Sequence, residues 1–241
     1  MKRPRGARAR AASLAALALL ASPVRAQAPS EPRFELGLRT GYGLPIGHYA
    51  DVRQLGGVRQ DDVNALSDDA YGAIPLWLDF GYRLTPALVL GVYGMFGLVL
   101  PKSGAASNPL GGGCPEGLDC FAIGVRFGVQ AQYHFSPGAQ VDPWLGLGLG
   151  YEWITSHVEG SVFGIPIDVV TDHAGLELLH LQGGVDFPLA RALSLGPFAS
   201  VSALQYTSCS AKLDGDDSAC SLPDKAWHGW LVLGVRGRLG L

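Results

Sequence analysis

Apolar side chains recur at every second position through most of this chain. The pattern is longest over residues 120–154. Ile123, Val125, Phe127, Val129, Ala131, Tyr133 and Phe135 form an apolar row, against Ala122, Gly124, Arg126, Gly128, Gln130, Gln132 and His134. After Ser136-Pro137-Gly138-Ala139-Gln140 the alternation resumes, with Leu145, Leu147, Leu149, Tyr151 and Trp153 opposite Gly146, Gly148, Gly150 and Glu152. Side chains alternate across a strand, so period two over such lengths predicts strands. Each is about a dozen residues, roughly twice the usual length in a globular protein. That is enough to cross a hydrocarbon core when tilted.

The same pattern predicts six more strands. Residues 33–44 set Phe34, Leu36, Leu38, Thr40, Tyr42 and Leu44 against Glu35, Gly37, Arg39, Gly41 and Gly43. Residues 73–84 set Ile74, Leu76, Leu78, Phe80, Tyr82 and Leu84 against Trp77, Asp79, Gly81 and Arg83. A third strand covers 88–100. Residues 84–101 carry no charge, and alone they would fit a transmembrane helix. Gly91, Gly94, Gly97 and Pro86 are poor helix-interior residues, however, so a strand is expected. Further strands are expected over 176–187, 193–206 and 227–241. The alternation in 193–206 is blurred, and Pro197, like Pro75 earlier, lacks a ladder donor.

Eight strands follow, with connections alternating between long and short. Long loops at 45–70, 101–119, 155–175 and 207–226 share one rim, and short turns lie at the other. This predicts an all-β fold, an eight-stranded antiparallel up-and-down transmembrane β-barrel of the bacterial outer-membrane type. Closure is required, because an open edge in lipid would leave backbone groups unpaired. A soluble barrel would turn its apolar face inward. Here the second face is mostly glycine with a few charges, a poor solvated surface that suits a narrow lumen. Aromatics also gather at the strand ends: Tyr42, Phe121, Trp153 and Trp227 towards the long loops, Phe34, Phe80, Tyr82, Tyr133, Phe135 and Phe187 towards the turns. Two such girdles mark membrane interfaces.

The N-terminus extends the picture to export. Lys2, Arg3, Arg5, Arg8 and Arg10 precede an apolar run, residues 11–21, and Val24-Arg25-Ala26 offers small residues for signal peptidase. Residues 1–26 are therefore expected to be a signal peptide, and 27–241 the barrel domain. Without residues 1–26 the chain keeps 12 basic against 21 acidic residues, net −9, which disfavours nucleic acid as a partner. The four cysteines fall as local pairs, Cys114/Cys120 and Cys209/Cys220. Export implies an oxidising compartment, so two disulfides are expected.

The stretch Pro143-Trp144-Leu145-Gly146-Leu147-Gly148-Leu149-Gly150-Tyr151-Glu152 resembles a strand common in eight-stranded outer-membrane barrels, the OmpA/OmpX-like superfamily and its broad outer membrane protein beta-barrel family. The alternation ending at Leu241 resembles the signal read by the barrel insertion machinery, which usually ends in Phe. The resemblance spans the mature chain and implies an integral outer-membrane location in contact with lipid. It is architectural and carries no functional residues to transfer.

Candidate chemistry is sparse. The predicted interior holds Glu35, Arg39, Asp79, Arg83, Arg126, Glu152, Asp186, Arg236 and Arg238. Buried charges must be paired, so an ion-pair network plugging the lumen is expected, against a gated ion path. If Phe135 pairs with Val141, Arg126 lies opposite Gly150 and diagonal to Glu152, within reach. His157, Glu159, Asp172 and His173 could ligate a metal but lack a tight spacing, and Asp214-Gly215-Asp216-Asp217 lacks the EF-hand pattern. His228, Ser200 and Ser202 are catalytic candidates by residue type alone. The four loops carry 14 acids against Arg53, Arg59, Lys102, Lys212 and Lys225. The expected function is a monomeric, closed, non-enzymatic barrel without cofactor, whose acidic loops attract cations or basic partners. The alternatives are a lipid A-modifying enzyme and a small-solute channel.

Overall fold

The computed structural model describes residues 33–55, 58–102, 114, 117–162, 164–218, 220–222 and 227–241, less the side chains of 49–64, 162, 218 and 221. The expected signal peptide lies outside these residues. So do Glu116, Asp224 and Lys225, and the side chains of Asp51, Arg53, Arg59, Asp61 and Asp62. In chain order the elements are β1 (Phe34–Leu55), β2 (Val58–Ala65), a single helical turn α1 (Leu66–Asp69), β3 (Ala70–Arg83), β4 (Leu88–Pro101), β5 (Leu118–His134), β6 (Asp142–Val162), β7 (Ile165–Pro188), β8 (Leu193–Leu213), β9 (Asp216–Ser218), β10 (Cys220–Ser221) and β11 (Trp227–Gly240). β1, β3, β4, β5, β6, β7, β8 and β11 pair with their sequence neighbours, and β11 returns to β1. The result is a closed, antiparallel, eight-stranded barrel. At the seam Glu35 lies opposite Gly240 and Gly47 opposite His228. No helix among the described residues is long and apolar enough to cross a membrane, and the uncharged stretch is strand β4.

Alternation decides which side chains go where. Leu38, Leu78, Val129 and Leu233 on the outer face are all more than half exposed, while Arg39 and Glu152 on the inner face are sealed from solvent. A soluble protein does not leave such a band open to water, so the outer surface is a lipid-facing one. The three turns at one rim are tight. Thr85 holds the first through its carbonyl and hydroxyl, which accept from the Leu88 N–H at 3.2 and 3.0 Å. The second, between Phe135 and Pro143, reverses through Gly138 at φ 79°. The third closes with the Leu189 N–H donating to Leu193.

Both problematic prolines sit where a ladder is already interrupted. The β1–β3 ladder skips from Thr40–Leu76 to Gly43–Ala73, and Pro75 falls in the gap. Thr40 Oγ1 donates to the Pro75 carbonyl there at 3.0 Å. Pro197 pairs with Val235 of β11 but falls in the interval of the β7–β8 ladder between Gly184–Phe198 and Phe187–Leu195.

Three expectations are corrected. Residues 155–175 are not an irregular loop. β6 and β7 continue as one hairpin to Val162 opposite Ile165, reversing at Gly164 with φ 80°. Likewise β8 runs on to Leu213 and turns through Asp214 and Gly215, both at positive φ, into β9, and β1 forms a hairpin with β2. Beyond the lipid both faces of a strand are wet, so nothing there requires alternation. Finally, the central turn leaves His134 opposite Trp144, and Arg126 therefore lies opposite Glu152 itself rather than Gly150.

Candidate functional site

The polar interior of the barrel concentrates buried ionisable groups in three tiers. At the short-turn mouth Glu35 accepts from Arg83 Nε and from Arg238 Nη1, each at 2.9 Å. Arg83 also donates to the Pro86 carbonyl. Arg238 Nε lies 3.1 Å from both Asp186 Oδ2 and Ser194 Oγ. His134 and Asp142 meet at 2.8 Å. Arg236 donates to Gln132 at 2.6 Å, and its guanidinium lies 4.2 Å above the Trp144 ring and 3.9 Å from Asp186.

The middle tier is a clamp. Arg39 donates through Nε and Nη2 to the two oxygens of Asp79, both at 2.7 Å, and through Nη1 to Gln182. Gln130 bridges the same carboxylate and Gln182, at 2.9 and 2.6 Å. The guanidinium is flanked by Trp77 and Phe198, 5.0 and 5.6 Å from the ring centres. Bidentate, ring-stacked arginine is the strong form of such a pair.

In the upper tier one cation serves two carboxylates. Arg126 Nε lies 2.7 Å from Glu152, and Nη1 lies 3.5 Å from Glu177 and 3.2 Å from Ser202 Oγ. Glu152 also meets His228 at 2.9 Å, and Glu177 meets His180 at 2.8 Å and the Tyr93 hydroxyl. Tyr93 reaches across because β5 and β6 carry glycine there: a Cβ on Gly128 or Gly150 would lie 2.5 Å from its hydroxyl oxygen. A cavity of about 10 Å³ lies between the first two tiers and one of about 20 Å³ beside the upper tier, among Arg126, Glu152, Ile154 and Trp230, room for roughly one water each. The short-turn mouth opens further, to about 260 Å³, between Arg83, Asp142, Asp186, Arg191 and Arg238.

All nine charges expected inside thus point into the lumen and meet partners. Glu177 is an addition. By strict alternation it belongs with Leu179 on the lipid face. A β-bulge between Glu177 and Leu179 places Leu178 and Leu179 both outward, so that Glu177 and His180 both face in. The signal available was the Glu-Leu-Leu-His spacing, which no uninterrupted strand satisfies.

The other candidates separate. His157 and Asp168 meet at 2.7 Å on the outer side of the hairpin, with Glu159 4.0 Å away. Asp172 accepts from Thr155 at 2.6 Å and from Trp153 at 3.3 Å. His173 is buried on the opposite side, its ring 5.0 Å from that of Tyr206, so the four do not converge. Asp214-Gly215-Asp216-Asp217 forms the β8–β9 turn, with Asp214 Oδ1 accepting from the Asp168 N–H at 3.1 Å. Ser200, Ser202 and His228 are buried on the lumen side. Cys114–Cys120 and Cys209–Cys220 are disulfides, with Cα separations of 5.7 and 5.8 Å.

No protein-family model matches the chain, and no curated protein does. Among solved structures it is similar to Neisserial surface protein A, at 14% identity over 86% of this chain and 97% of that one, TM-score 0.41. It is similar to the outer membrane protein OprG from Pseudomonas aeruginosa at 13% identity, 88% and 98% coverage and TM-score 0.47. A major outer membrane protein from Thermus thermophilus aligns at 17% identity, 86% and 99% coverage and TM-score 0.47.

Proposed function

We propose that this chain is a monomeric outer-membrane scaffold: a closed barrel that holds strand extensions and acidic connections outside the cell and carries out no chemistry of its own. The observation that supports closure is the bridged lumen. Arg39–Asp79 and Arg126–Glu152 join neighbouring strands, and the bore itself is spanned from Arg39 of β1 to Gln182 of β7, from Glu152 of β6 to His228 of β11 and from Tyr93 of β4 to Glu177 of β7, with spaces beside them that hold about one water each. Such a bore has no continuous water column for ions or solutes. A non-enzymatic role is supported by the placement of Ser200, Ser202 and His228. A lipid-modifying site needs its groups at the lipid face, and these are sealed inside.

Display is supported by strand length. β6 runs about nine residues beyond Trp153, which at ~3.3 Å per residue is some 30 Å of strand past the aromatic girdle. Two assays test the proposal together. Proteoliposomes holding the full chain should shrink and not re-swell in small sugars, and protease added to intact cells should cut within residues 155–175 or 207–226. Rapid re-swelling, or extensions cut only in broken cells, would overturn it.

A further inference from the structure

The strand extensions form a platform with two unlike sides. On the outward side, three carboxylates stand directly across from one another: Asp119 of β5 opposite Glu159 of β6, and Glu159 opposite Asp168 of β7. All three are exposed. Like charges in facing positions repel; His157 lies between two of the three, 2.7 Å from Asp168 and 4.0 Å from Glu159, and the ladder stays net negative. Asp214, Asp216 and Asp217 at the β8–β9 turn extend the acidic surface, and Lys212 is the one lysine or arginine in residues 155–174 and 207–218.

The inward side of the same strands is apolar. Val158 lies opposite Val169, and Val169 opposite Leu213. The row leads to a hairpin tip where Ile165 is 66% exposed, beside exposed Pro166, with Leu213 39% exposed on the neighbouring strand. This stands outside the lipid-facing band, where an aliphatic tip gains nothing from the membrane. Both disulfides also belong to the platform rather than to the barrel. Cys120 ties β5 to Cys114 and Cys209 ties β8 to Cys220 of β10. β9 pairs along β8 and covers that edge of the sheet. A rigid, pre-organised surface loses less entropy on binding than a mobile loop does.

Resting on the display reading above, we infer that the β6–β7 hairpin and its neighbour β8 form a docking surface for a basic polypeptide segment carrying an aliphatic anchor. The sign of the charge selects the partner. Seven acids, counting Asp172, face one lysine across these strands, which attracts a cationic chain and repels nucleic acid and anionic glycolipid. The apolar tip supplies the anchor site, and charge complementarity brings the partner to it.

The test uses the full chain in phosphatidylcholine nanodiscs, with empty discs as the reference. The probes are two fluorescent peptides of equal length and charge, one alternating lysine with valine and the other lysine with serine. The valine peptide should bind about tenfold more tightly, the smaller end of what burying one aliphatic side chain gives. Ile165→Ser with Leu213→Ser should abolish that preference. Asp119→Asn, Glu159→Gln and Asp168→Asn together should weaken both peptides and flatten their salt dependence. Equal binding of the two peptides to the wild-type chain would overturn the inference without any variant. So would binding no greater than to empty discs, or a preference that survives loss of the tip. A leaky lumen would defeat the closed-scaffold reading and leave these outcomes standing, because the lumen tiers lie below the platform.

Discussion

Arg126 is the residue whose loss the lumen should tolerate least. It is buried, and its guanidinium is the cation shared by Glu152 at 2.7 Å and Glu177 at 3.5 Å. Arg126→Met would leave two carboxylates in a sealed bore with His228, His180 and Tyr93 as their remaining partners. Unit charges 4 Å apart interact by roughly 4 kcal/mol at an effective dielectric of about 20. Most of that attraction offsets desolvation, and removing one partner of a buried pair costs about 3–5 kcal/mol. Against a total stability of ~5–15 kcal/mol, that is a large share. Glu152→Gln is milder, about 1–3 kcal/mol, since Arg126 keeps Glu177 and Ser202. The double variant removes a cation and an anion together and leaves Glu177 with His180 and Tyr93. It should cost no more than Arg126→Met alone, a coupling of about 1–3 kcal/mol. Urea unfolding of the barrel refolded in phosphatidylcholine vesicles, followed by tryptophan fluorescence, measures all three. Effects that add to within about 0.5 kcal/mol would refute the shared-cation reasoning.

The secreted chain should begin at Gln27, as read by mass analysis of the purified protein; retention of residues 1–26 would contradict export through this segment. Peptide mapping without reductant should recover Cys114–Cys120 and Cys209–Cys220, and reduction should speed protease cleavage of the extensions while the barrel keeps its resistance to unfolding in cold detergent. Cross-pairing between the two sites would contradict this. Gly234→Ala places a Cβ on the Thr40 carbonyl oxygen and 2.8 Å from Gly41 Cα, and should cost about 1–3 kcal/mol. Gly94→Ala, with no atom within 4 Å of the added carbon, should stay within about 0.5 kcal/mol; the two are ranked by the same urea titration.

Within the membrane the fold was legible because lipid and lumen impose opposite demands on successive residues. Leu36 or Val129 could only face out and Arg39 or Gln130 only in, so strand positions and the direction of each face followed from period two. The nine interior charges were legible for the same reason, but their partners were not. Which of them meet depends on register, and register depends on turn length. Closing the central turn at Pro143 rather than Val141 moved Arg126 from Gly150 to Glu152. Glu177 was hidden by a bulge, which inverts the parity on which the reading rests. Outside the lipid the signal fades for a physical reason. Thr155, Ser156 and His157 are all half-buried, their strand pairing is set by backbone hydrogen bonds and the turn at Gly164, and no solvent contrast forces alternation on them.

The most direct test of the closed-barrel account is electrical. The full chain, reconstituted into a planar bilayer, should show no steady single-channel current over a range of voltage and salt. The Arg39–Asp79 and Arg126–Glu152 tiers leave cavities of only about 10 and 20 Å³, too small for a hydrated ion. A steady, reproducible conductance from the folded wild-type protein would contradict the account and establish the lumen as a path.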